Sequence, residues 1–67
     1  MTVKVYSNTK QHAHLWTYYT FKEKYSAITK SHNMSGNIIN YIIYEVESVI
    51  DENYMNGLGL TYEVINP

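Results

Sequence analysis

The stretch Asn37-Ile38-Ile39-Asn40-Tyr41-Ile42-Ile43-Tyr44-Glu45-Val46-Glu47-Ser48-Val49-Ile50-Asp51-Glu52-Asn53 decides the fold, and two periods compete in it. At helical spacing Ile38, Ile39, Ile42, Ile43, Val46, Val49 and Ile50 gather in one arc. At strand spacing the same residues spread over both faces. β-Branched side chains lose χ1 freedom in a helix, which speaks for the strand. The ordered arc outweighs that preference and predicts one helix over 37–53. Asn33 or Ser35 stands where a cap is needed, and Gly57 and Gly59 break the helix.

Strands are predicted on either side. Residues 2–6 alternate, with Val3 and Val5 on one face and Thr2, Lys4 and Tyr6 on the other. Residues 14–21 are aromatic and β-branched with large groups on both faces, which predicts a central strand. Lys22-Glu23-Lys24 reads as a turn, and residues 25–31 as a weaker edge strand. Residues 31–36 form a polar loop, and residues 60–65 alternate as a last strand. The order β-β-β-α-β predicts an α+β domain over 1–67. It has a small four-stranded mixed sheet, a three-strand antiparallel meander plus a last strand parallel to the first, and one helix packs on one face.

Charge is divided along the chain. All five lysines lie in the first 30 residues and there is no arginine. Residues 1–34 carry +4 and residues 35–67 carry −5, histidine taken as neutral. Such a dipole suits docking on a protein better than coating a polyanion. A chain of 67 residues without cysteine has no disulfide to reinforce a small core, which makes a homodimer the expected support. Eight tyrosines favour an interface, because tyrosine offers wide contact for little side-chain entropy. No signal peptide or spanning helix is legible, so a cytoplasmic protein without membrane association is expected. Lysine without arginine, with many Asn, Ile and Tyr, follows from AT-rich coding and suggests a low-GC bacterium or one of its phages.

On the predicted helix, Tyr41, Tyr44 and Ser48 fall opposite the isoleucine arc, with Met55 beyond them and Glu45 and Glu52 alongside. This is the expected partner-binding set. A short, cysteine-free, tyrosine-rich chain of AT-biased coding without legible chemistry fits a non-enzymatic, homodimeric phage or mobile-element inhibitor that binds and blocks a host defence or nucleic-acid-processing protein. The alternative is a nucleic-acid face in which Lys22, Lys24, Trp16 and Tyr18 stack bases on the sheet. It lacks an arginine for guanine or phosphate forks. His12, His14 and His32 are the only conceivable metal cluster, and without cysteine or paired carboxylates no metal or cofactor is expected. No nucleophile with a partnered base is legible, so no enzyme is predicted.

Three strand and helix positions carry a resemblance. Val5-Tyr6-Ser7-Asn8, Ser35-Gly36-Asn37-Ile38-Ile39-Asn40 and Glu63-Val64-Ile65-Asn66 place amides where a ribonuclease H-like domain has its magnesium-binding carboxylates. The predicted succession resembles the first half of that fold. With Asn8, Asn40 and Asn66 neutral, the resemblance implies a truncated and catalytically dead member.

Overall fold

A computed structural model describes residues 1–9 and 13–67. Its elements are β1 (Thr2–Ser7), α1 (Leu15–Lys24), β2 (Ile28–Ser35), β3 (Ile38–Glu45), α2 (Glu52–Leu58) and β4 (Leu60–Asn66). The strands form one sheet in the order β2-β3-β1-β4, and every neighbouring pair is antiparallel. β1 and β2 both oppose β3, so they run parallel to each other with α1 as their crossover. β3 and β4 are related in the same way through α2. The result is the split βαββαβ arrangement of ferredoxin-like topology. The α+β class and the single four-stranded sheet are as the sequence predicts.

Several expectations are corrected. The 37–53 helix is instead β3, a connection and the start of α2. Isoleucine pairs at 38/39 and 42/43 satisfy the helical arc, yet Ile42, Tyr44 and Val46 alternate into the core. There β propensity and cross-strand packing outweigh the arc. The 14–21 strand is α1, whose Thr17, Tyr18 and Phe21 are buried at helical spacing. Lys22-Glu23-Lys24 is its last turn rather than a hairpin. The sheet is wholly antiparallel rather than mixed, and two helices cover it rather than one.

Local chemistry explains the boundaries. Gly36, at φ 64°, opens the two-residue connection from β2 to β3, the Gly-first pattern that suits a twisted hairpin. Residues 31–35, expected as loop, are therefore strand. Asp51 caps α2, its carboxylate accepting from the Asn53 and Tyr54 backbone N–H groups. Gly59 ends α2 in the left-handed region at φ 74°. α1 ends in a Schellman pair: Ala27 N–H donates to Lys22 O at 2.9 Å and Ser26 N–H to Glu23 O at 3.4 Å. Ser26 takes φ 48° there, a conformation in which glycine is at ease and serine is strained.

The core lies between the helices and one sheet face. Val3, Val5, Ile42 and Tyr44 meet Tyr18, Phe21 and Tyr25 of the first crossover and Met55 of the second. The aromatic rings form a run. Tyr44 to Phe21 is 5.0 Å, Phe21 to Tyr25 5.2 Å and Tyr25 to Tyr54 5.9 Å between centroids, all favourable tilted or edge geometries. Tyr25 Oη also accepts the Asp51 backbone N–H at 3.1 Å, which ties α1 to the start of α2. Among the described residues no helix is long and apolar enough to cross a membrane.

Candidate functional site

α1 is apolar on both sides. Thr17, Tyr18 and Phe21 fill its inward face. Its outward face carries Leu15, Trp16 and Tyr19 at 51, 59 and 62 % exposure. Tyr19 follows Leu15 by four residues and Trp16 by three, so the three side chains share one patch. In its first turns α1 thus carries large apolar groups on two sides, and among the described residues only the inward one is covered. Trp16 flanks a groove that runs past Asn8, His14, Leu58 and Gly59. Tyr19 flanks a shallower depression with Lys22, Glu23 and Ser26. The patch therefore has polar borders and concave neighbours.

The second uncovered surface is the sheet face turned away from the helices. Val3 and Val5 point into the core, so Thr2, Lys4 and Tyr6 point out. Lys4 is opposite Ile43 on β3 and Glu63 on β4. Its ammonium sits 4.5 Å from the Tyr41 ring centroid and 5.9 Å from that of Tyr6, within cation–π range. Tyr6, Tyr41 and Ile43 are half-buried. At one end of this face the Glu45 carboxylate accepts Thr2 Oγ1–H at 2.6 Å and pairs with the Met1 ammonium at 3.1 Å. The Thr2 hydrogen bond, then that of the ammonium, holds its pKa below the usual carboxylate value.

The expected partner-binding residues do not form one face. Tyr44 and Met55 are core residues, and burial pushes the Tyr44 hydroxyl pKa well up. Tyr41 and Glu45 lie on the open sheet face. Ser48 is exposed in the β3–α2 connection, and Glu52 is exposed in the first turn of α2. Nor do the residues expected to stack bases lie on the sheet. Trp16 and Lys22 are exposed on α1, Tyr18 is buried, and Lys24 is turned over the Tyr54 ring at 5.0 Å.

Of the histidines, His12 lies outside the described residues. His14 is the N-cap residue of α1 and His32 is on β2, both exposed. Among the described residues no three His, Cys, Asp or Glu side chains gather. Asn8 follows β1, whereas Asn66 is opposite Thr2 at the other end of that strand. Asn40 Nδ2 donates to Asn33 Oδ1 and Ser35 Oγ. The three amides are thus not brought together, and the ribonuclease H-like resemblance gains no support from their placement.

Leu15 and Tyr19 went unremarked as contact residues in the sequence. The signal was the presence of large groups on both sides of 14–21, which at helical period is a two-sided apolar helix. Compared with family models, curated proteins and solved structures, the chain gives no match.

Proposed function

We propose that this chain is a non-enzymatic protein-binding module that docks through the outer face of α1. One observation carries the reading: Leu15, Trp16 and Tyr19 form a contiguous patch, each more than half exposed, that the fold itself does not use. Tryptophan and tyrosine are the usual anchors of protein interfaces. Burying what is still exposed of three such side chains is worth about half of the 1.5–3 kcal/mol of a full burial each, with each 51–62 % exposed in the free chain. Lys22 and Glu23 border the patch with both signs of charge, which favours a protein partner over a phosphate backbone. The partner class we take forward is a bacterial host protein, blocked when the patch occupies its surface, as a phage or mobile-element inhibitor would do.

The test is capture by the immobilised chain from bacterial lysate, run beside a Trp16→Ala/Tyr19→Ala form of equal thermal stability. A discrete protein held by the first and released by the second is the expected result. Truncating Trp16 alone costs about 2 kcal/mol of binding, roughly thirtyfold in Kd. Equal capture by both forms, or capture of nothing, overturns the reading.

A further inference from the structure

The open sheet face does not read as a solvated one. An antiparallel sheet with one side in water alternates along each strand, apolar inward and polar outward. Here the outward positions of the two central strands hold Tyr6, Tyr41 and Ile43 beside Thr2, Lys4 and Glu45. β3 carries large groups on both sides, Ile42 and Tyr44 inward and Tyr41 and Ile43 outward, the pattern of a strand covered twice, and β1 adds the Tyr6 ring beside them. From this we infer that the open face is the seat of a second copy of this chain, giving two sheets face to face with the helices outward.

Size and charge select that occupant. Four strands about 4.8 Å apart and six residues long present about 400 Å² of plane. With side-chain relief, two such faces bury roughly 1,000–1,200 Å² in total, which reaches the size of a specific if modest interface. Sheets stacked this way interdigitate at about 10 Å. Lys4 is opposite Glu63 on β4, and Glu45 lies on β3 on the same face. A face that holds both signs side by side is complementary to its own two-fold image, as a self-contact requires. A nucleic-acid strand meets the same carboxylates as repulsion. This seat is separate from the outer face of α1, which a dimer of this geometry leaves free on both outer surfaces.

The experiment is sedimentation equilibrium of the full chain from micromolar to about 1 mM, on wild type and three sets of variants. Ile43→Glu puts a carboxylate in the middle of the face opposite Lys4, which supplies a counter-charge within one chain. The variant keeps its far-UV spectrum and is monomeric. Glu63→Lys changes an exposed residue and weakens the dimer about tenfold, and Lys4→Glu/Glu63→Lys recovers it. Trp16→Ala leaves the dimer unchanged. A wild type that stays monomeric to about 1 mM overturns the inference, as does a dimer indifferent to both Ile43→Glu and Glu63→Lys. A dimer broken by Trp16→Ala moves the contact to α1. Binding of a labelled oligonucleotide by the wild type, lost in Ile43→Glu, assigns the face to nucleic acid instead. These readouts are masses and oligonucleotide affinities, so they fail independently of the lysate capture.

Discussion

The Tyr44 ring lies 5.0 Å from the Phe21 ring at a tilt of 52°, and this contact fastens the middle of the sheet to α1. It satisfies the inward side of the helix without recruiting Leu15, Trp16 or Tyr19. The aromatic side chains of α1 thus divide into a set that builds the fold and a set that the fold leaves over.

Mutations separate the two sets. Tyr44→Ala removes a buried ring and costs about 3–5 kcal/mol, a large share of what a domain this small has to lose. Tyr44→Phe costs little, because its hydroxyl reaches Tyr18 O only at 3.5 Å. Trp16→Ala and Tyr19→Ala change stability by no more than about 0.5 kcal/mol. Urea titrations of the four variants check this. A Trp16→Ala loss as large as that of Tyr44→Ala would place Trp16 in the core.

Tyr18 is buried, and its hydroxyl finds no hydrogen-bond partner among the described residues. An unsatisfied buried hydroxyl costs about 1–3 kcal/mol. Tyr18→Phe keeps the ring and removes that cost, so it raises stability by about 1 kcal/mol and Tm by about 4–8 °C. A lowered Tm would mean that the hydroxyl is solvated or bonded.

Ser26 holds the left-handed position of the α1 Schellman pair. Ser26→Gly relieves that backbone and stabilises by about 0.5–1 kcal/mol, net of the greater freedom glycine has when unfolded. Thermal unfolding of the variant checks the sign.

Glu45 and Tyr44 set opposite pH limits. The Glu45 pKa is held below 4.5 in the fold, first by the Thr2 hydrogen bond and then by that of the Met1 ammonium. Its contribution is complete above that value and is lost as pH falls through the lower folded pKa. Glu45→Gln removes this acid-side dependence of Tm below pH 4.5. Tyr44 runs the other way. Burial first, then its neighbours Tyr18 and Tyr19, raise its pKa above 10.0. Its contribution is complete below pH 10 and is lost as pH rises beyond, so Tyr44 ionises with unfolding. Absorbance titration of tyrosinate alongside circular dichroism checks the coincidence. Ionisation of Tyr44 in a folded chain would contradict it.

What was legible in the sequence depended on which period had a competitor. In β1, Val3 and Val5 alternate with polar or amphipathic residues, and no helical reading fits so short a run. β4 was legible for the same reason, and Gly59 ended its preceding helix visibly. β3 was not, because isoleucine pairs four apart fit the helical period and fall on both faces of a strand, and only its partners on β1 and β2 decide for the strand. α1 was hidden by β-branched and aromatic composition, which tertiary packing of Tyr18 and Phe21 overrides. Its two-sided character was legible, but a strand reading buried both sides. The patch became visible only once a helix left one side bare. Tyr44 and Met55 were misplaced by the same misread period.

Trp16 is the single tryptophan of the chain, so its fluorescence reports directly on the outer face of α1. The decisive measurement is acrylamide quenching of Trp16 in the isolated protein and again at saturation with its captured partner. The account predicts open access to quencher in the isolated protein at every concentration, dimer included, and strong protection with a blue shift in the complex. A tryptophan already protected in the isolated chain, or one still fully quenched in the complex, would contradict docking through α1.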